Sequence, residues 1–462
     1  MSDVQSDSVD VAKTEPAEAL DTATGQVIAD EDIADAAVTA PTGGFADYTK
    51  SYLARVRGGD MGSLPAVGAL VVLVIFFSIA EKGFWSLGNL ANLVTQAAPS
   101  VLLAMGLVFV LLLGEIDLSA GVTSGVGAAT TAVLLLHGWP WPLAVLVALA
   151  VGAVIGYLIG VMRAYVLVPS FVSTLALFLG LQGVVILIVN SAHTQGNITL
   201  NSNVLNDLEN EPMPVWLGWV IAILCVAGFA ASRLLTARVR RRSGLPAEPY
   251  SVIAAKTIGF AVVAFLFVYL LNQDRALNKA AGVKVVNGKL VQVKHTALQG
   301  VPWVVIVILV LVLVLGFILS RTRYGRHIYA VGGNDEAARR AGIRVNAIRI
   351  SVFVICSTMA MVSGVVLASE IGVNNAEGGG NTLLLAVGAA VIGGTSLFGG
   401  KGKITDAVIG GLVVAVIING MSDLLQGQNN AAYQAIVTGG VLLAASTVDA
   451  LSRRRAGASG LA

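Results

Sequence analysis

"GFWSLGNLANLVTQAAPSVLLAMGLVFVLLLG", residues 83–114, carries no charged side chain. A helix needs about 20 mostly apolar residues to cross a hydrocarbon core, and this stretch accommodates one with residues to spare. Past Glu115 and Asp117, a second uncharged run extends from Leu118 up to Arg163. Over all 462 residues the chain is 56% hydrophobic and 12% charged, with mean hydropathy +0.82. A soluble domain would sit near 45–50% apolar and about 25% charged. A transmembrane barrel would show short alternating segments instead. These observations predict an all-α polytopic membrane protein.

Twelve apolar segments are expected, at about 64–80, 90–113, 121–137, 142–162, 165–190, 215–231, 257–272, 301–320, 348–369, 383–398, 404–422 and 432–451. Several are short or glycine-rich, so ten or eleven spans remain open. Cytoplasmic loops carry an excess of Lys and Arg. Arg55 and Arg57 before the first segment therefore put the N-terminus in the cytoplasm, and twelve spans would return the C-terminus to the same side. Counting spans then puts Arg163, Arg233 to Lys256, Arg321 to Arg349, Lys401, Lys403 and Arg453 to Arg455 inside as well. The loop 191–214, with Asp207, Glu209 and Glu211 and no Lys or Arg, falls outside. Loop 273–300 breaks the rule. It counts as outside, yet holds Arg275, Lys279, Lys284, Lys289 and Lys294. Asn287–Gly288 lies there between two β-prone runs, a hairpin signal. Such an extracytoplasmic hairpin reads equally as a partner contact or a structural ornament.

Residues 1–55 form an acidic tail, with eleven acids in the first 50 positions, and are expected to be disordered and cytoplasmic. A membrane domain then spans 56–455, with a short tail at 456–462. Without the first 50 residues the chain holds 27 basic and 16 acidic groups. That excess suits a surface against the anionic lipid bilayer and does not argue for nucleic acid. Cys225 and Cys356 sit in apolar runs, and His137, His193, His295 and His327 are scattered. No metal site is expected. Gly152, Gly156 and Gly160 share one helix face, which favours close helix packing.

The charged exception is "YGRHIYAVGGNDEAARRAGIRV", residues 324–345, within a polar segment 321–347. Asn334 is a good N-cap. Asp335 and Glu336 suit the positive end of the helix dipole, and Arg339 and Arg340 the negative end. Gly342 suits a left-handed stop. A helix of about two turns follows, with Gly325, Gly332 and Gly333 letting the entering chain bend. So short a helix needs something to pack on.

This segment resembles the cytoplasmic coupling segment of permease subunits of ribose- and xylose-type ABC sugar importers. "LLLGEIDLSAG" (111–121), "VPSFVSTLALFLGLQGV" (168–184) and "GGTSLFGGKGKITDAVIGGLVVAVIINGM" (393–421) resemble further elements of that family in the same order. Glu115 stands where the family has a second glycine. The extra length between about 232 and 300 favours the xylose branch. The resemblance covers roughly 64–455. It implies a permease homodimer, cytoplasmic ABC ATPase subunits, an extracytoplasmic sugar-binding protein and a bacterial inner-membrane location. It also implies that Gly325, Arg326, Gly333, Asn334, Asp335, Glu336, Ala337, Arg339 and Gly342 serve ATPase coupling.

No residue set supports catalysis and no cofactor is expected. The nearest thing to a phosphate loop is "GGTSLFGGKGK", which departs from G-x-x-x-x-G-K-[ST] at Thr395 and at Gly402. ATP hydrolysis would therefore belong to a separate subunit. Pathway candidates are Glu115, Asp117, Ser119, Ser173, Thr174, Asn92 and Gln96, with Gln182 and Asn190 behind them. Two readings stand for Glu115 and Asp117: ionisable groups at membrane depth, or groups where a span breaks at an interface. The amides and hydroxyls read either as sugar contacts or as interhelical hydrogen-bond partners. The alternative to an importer subunit is a stand-alone secondary carrier or channel.

Overall fold

The structure, a computed structural model, describes residues 63–192, 197–200, 202–245, 247–275, 282–286, 289–293, 297–374, 380–424, 432–441, 443–444 and 447. The tails expected at 1–55 and 456–462 lie outside these residues. In chain order the helices are α1 (Leu64–Ala80), α2 (Leu87–Leu112), α3 (Ala120–Leu136), α4 (Trp141–Val161), α5 (Ser170–Ser191), α6 (Asn203–Asn210), α7 (Val215–Arg242) and α8 (Tyr250–Leu271). They continue as α9 (Val304–Arg321), α10 (Arg323–Gly333), α11 (Asp335–Arg340), α12 (Val345–Ile371), α13 (Gly380–Gly393) and α14 (Ile404–Leu424). Residues 432–441 are helical too. Among the described residues, eight helices are long and apolar enough to cross a membrane, and three more are apolar but shorter.

The interior is built around α2, in which every residue from 97 to 112 is buried. α12 packs on α2, α3 and α4, and α14 packs on α2 and α13. Glycine makes the α4–α12 contact possible. A Cβ at Gly152 would lie 2.9 Å from the Ser357 carbonyl oxygen, and one at Gly156 would strike the Phe353 carbonyl. One at Gly160 would lie 2.6 Å from Ile350 Cα. The glycine face thus lets two backbones touch within one chain. α7 and α8 pack on each other, and a separate small core there includes Met213, Ala222, Val268, Leu271 and Val301.

The elements sort into two ends. At one end, the Ser369 carbonyl closing α12 accepts from Asn210 Nδ2 (2.8 Å), and the Ser369 hydroxyl donates to the Asn206 carbonyl (3.2 Å). Short strands β1 (Asn197–Ile198) and β4 (Val373–Asn374), which the sequence did not suggest, pair antiparallel there. Met213 N–H donates to the Val301 carbonyl (2.8 Å) and Arg275 Nη1 to the Gly300 carbonyl (2.9 Å). Loop 273–300 therefore shares the end of loop 191–214, despite its lysines. Its hairpin exists: β2 (Gly282–Val286) pairs antiparallel with β3 (Lys289–Val293), Val286 facing Lys289. Asn287 and Gly288 themselves lie outside the described residues. The other end gathers the last residue of α2, the start of α12, Arg163 and the segment 321–347.

Candidate functional site

The polar segment folds as two helices, not one. Thr322 starts α10 from an extended backbone, its Oγ1 accepting the Gly325 N–H at 3.1 Å. The three glycines were expected to bend a loop here. Instead all three are helical, and two allow close approach. A Cβ at Gly325 would strike the Leu319 carbonyl, and one at Gly332 would strike the Leu112 carbonyl. Two tyrosines fix α10 to its surroundings. Tyr324 Oη and Ser351 Oγ are hydrogen-bonded at 2.7 Å, and Tyr329 Oη donates to the Gly402 carbonyl at 2.7 Å. Burial pushes both phenols above their ordinary range, aided at Tyr329 by the nearby Asp406 carboxylate, so both are neutral.

α11 follows with the caps the sequence calls for. Asn334 Oδ1 accepts the Ala337 N–H at 2.9 Å. At the other end Ile343 N–H donates to the Ala338 carbonyl and Gly342 N–H to the Arg339 carbonyl, both at 3.0 Å, with Gly342 at φ 82. That pair of bonds is the Schellman stop, which needs a left-handed residue. Ala338 faces inward, while Glu336, Ala337, Arg339 and Arg340 are exposed, as are Arg326 and Gly333. The surface pair Arg340–Glu336 is open to water and adds little stability.

Asp335 behaves differently. Its Oδ2 lies 2.9 Å from Arg349 Nη2 on α12. Arg349 Nε lies 3.7 Å from Glu115 Oε1, which holds Arg163 Nε at 2.6 Å. Glu115 occupies the turn between α2 and α3, where Gly114 takes φ 70. In the same turn Asp117 Oδ1 accepts the Ser119 N–H (2.9 Å) and hydroxyl (2.6 Å), organising the start of α3. Glu115, Asp117 and Ser119 thus sit together at the end that carries α11. Residues 394–403 close the site: Gly400 N–H donates to the Leu112 carbonyl at 2.9 Å, and Phe398 is exposed beside it.

The remaining sequence candidates are dispersed. Ser173 and Thr174 are buried on α5, with hydroxyls bonded to the Ser170 carbonyl of their own helix at 3.0 and 2.8 Å. Asn92 is exposed near the far end of α2. Gln96 Oε1 accepts from Asn419 Nδ2 at 3.3 Å, and Gln434 Nε2 donates to Ser422 Oγ at 2.6 Å. Arg163, Arg349, Tyr329, Phe398 and Asn419 were not singled out from the sequence. Arg349 carried the one usable signal, a charge in the first turn of an apolar segment.

Comparison with known proteins assigns this architecture. The family described as the permease component of branched-chain amino acid transport systems matches residues 89–446. The chain belongs to this permease family. The xylose transport system permease protein XylH of Escherichia coli strain K12 is 32% identical over 391 residues, covering 84% of this chain and 92% of that protein. The Haemophilus influenzae XylH is 33% identical over 394 residues, covering 84% and 96%. The ribose import permease protein RbsC of E. coli K12 is 28% identical over 402 residues, covering 87% and 95%. No solved structure matches. The chain is therefore a multi-pass inner-membrane permease subunit, not an enzyme.

Proposed function

We propose that this permease is the membrane subunit of an ATP-driven importer of a neutral monosaccharide, xylose or a close relative, and that α11 docks on a separate cytoplasmic ATPase. One observation carries the reading. α11 is capped at both ends, presents Glu336, Ala337, Arg339 and Arg340 outward, and is tied inward through Asp335 to α12. A helix meant only to solubilise a loop would need no such tie. The xylose and ribose relatives support the sugar class. The Arg-rich turn at the end of α7 supports a cytoplasmic site for the α11 end. The far end, with loops 191–214 and 273–300, then faces a sugar-binding protein, and two copies of the chain form the pathway. Glu115 and Asp117 belong to the coupling apparatus in this reading, while Asn92 and Gln96 remain the pathway amides, Gln96 paired with the buried Asn419.

The test is Glu336→Arg. It places a positive charge at a helix start, where the dipole disfavours it, on a side chain that touches no other element. The variant is expected to reach the membrane in normal amount, to lose the co-purifying ATPase and to lose xylose uptake. Full uptake with the ATPase retained would remove α11 from the interface. Uptake by the unmodified chain with no ATPase present would establish the self-sufficient carrier.

A further inference from the structure

Arg349 stands between two carboxylates that belong to different parts of the molecule. Asp335 lies 2.9 Å away at the start of α11, and Glu115 lies 3.7 Å away in the turn joining α2 to α3. Glu115 is held more closely by Arg163, at 2.6 Å, beyond the end of α4. Side-chain exposure is 8% for Glu115, 12% for Arg349 and 24% for Arg163, so these charges are largely withdrawn from water. Four charged groups thus alternate in sign from α11 through α12 and the α2–α3 turn to α4. Removing one member would leave its neighbour charged and poorly solvated, which is strongly unfavourable.

Two further features place mechanical weight on this chain of charges. Arg163 lies in a π-helical turn, Met162–Val166, closed by Leu167 at φ 63. π-turns cluster at functional sites, and a branched side chain in the left-handed region is strained and persists only where its surroundings hold it. In addition, α4 lies on α12 along Gly152, Gly156 and Gly160, where a Cβ would strike α12 atoms, so the two backbones are in direct contact. The Glu115 bridge is a polar tie between those two helices at the α11 end.

We infer that Glu115, Arg163 and Arg349 are positioning residues for coupling. They transmit a displacement of α11 to the α2–α3 turn and to α4, with Arg349 exchanging Asp335 for Glu115 as α11 moves. The inference rests on the reading of α11 as the ATPase-docking helix.

The experiment uses the assembled transporter, with its ATPase and sugar-binding protein, in sealed vesicles. Xylose uptake and ATP hydrolysis are measured on the same preparation. In Glu115→Gln and Arg163→Gln, ATP hydrolysed per sugar is expected to rise about tenfold, within the range of ordinary coupling free energies, with the ATPase still bound. Glu115→Asp is expected to recover most of the coupling. An unchanged ratio overturns the inference. So does a parallel fall in uptake and hydrolysis, because a merely structural role lowers both together. Where a neutral variant fails to reach the membrane, Arg163→Lys keeps the charge but loses the Nε contact. Its ratio is then decisive: raised supports the inference, unchanged overturns it. If the unmodified chain assembles without an ATPase, the parent reading falls and this one falls with it. If it assembles and only the ratio is unmoved, this inference alone falls.

Discussion

Glu209 shows how much one side chain can depend on its setting. It sits on α6 and is 7% exposed, and neither carboxylate oxygen has a hydrogen-bond partner among the described residues. Burial, and after it the charge of Glu370, push its carboxyl from 4.5 up to about 9. At neutral pH the folded chain therefore holds a proton that the unfolded chain has lost. Stability at this group is highest below about pH 4.5 and declines as pH rises toward 9, because the unfolded state binds fewer protons across that window. What this loosens first is the docking of α6 on the end of α12, where Glu209 N–H and Asn210 Nδ2 meet Ser369. Glu209→Gln removes the titration. Hydrogen exchange of residues 203–210, corrected for its intrinsic pH dependence, is expected to show protection that falls between pH 5 and pH 9 in the unmodified chain. In the variant that protection should stay flat. The same fall in both would mean that Glu209 does not control the contact. Nothing in the sequence announced this residue beyond its place in an acidic loop. Burial does most of the raising, and the carboxylate that adds to it lies far along the chain at Glu370.

Elements were the most legible level, because length and apolarity decide whether a helix can span a bilayer. α1 begins and ends where the composition places it, and α12 and α14 differ from expectation by a few residues. α7 runs on to Arg242, well past the apolar stretch, because arginine forms helix readily and favours a helix C-terminus. α10 was illegible for a related reason. "GRHIYAVGG" looks like a loop when glycine is read as a bend. In the fold Gly325 and Gly332 serve proximity, which depends on Leu319 and Leu112 lying opposite. The glycine face of α4 was read correctly as packing, and only its partner, α12, was hidden. That contact has a direct consequence. Gly156→Val would drive a side chain into the Phe353 carbonyl and push α4 away from α12. Overpacking of this kind costs on the order of 1–3 kcal/mol, and rigid backbone on both sides puts it at the upper end. Thermal unfolding in detergent is expected at lower temperature for Gly156→Val, whereas Gly180→Val, where a Cβ would meet nothing within 4 Å, should leave it unchanged. Equal effects at both positions would argue against backbone contact as the cause.

At the scale of the molecule, α12 connects the two ends. Its 27 residues span about 40 Å at 1.5 Å each. Arg349 near its start meets Asp335 of α11, and Ser369 near its finish holds α6. The ordered motifs made the family legible, and the capped helix was legible in full from Asn334 to Gly342. The wiring between them was not. Glu115 reads in sequence as a charge between two spans, and whether it faced a pathway or an interface depended on Arg163 and Arg349, which lie 48 and 234 positions further along the chain. Resemblance could not supply that link either, because glycine stands at this position in the family pattern.

α11 is proposed to lie against an ATPase, and a short-range cross-link tests this most directly. Ala337 is exposed on that helix, and its small side chain is replaceable without disturbing the Asn334 cap, which uses only its backbone N–H. The direct measurement is cross-linking from Ala337→Cys in native membranes, with Cys225 and Cys356 replaced by serine and alanine, using a thiol-to-amine reagent of short span. One adduct is expected, of this chain with an ATP-binding subunit, whose yield changes when ATP is added. Absence of that adduct, in membranes where the ATPase is present and the chain carries sugar, would contradict it.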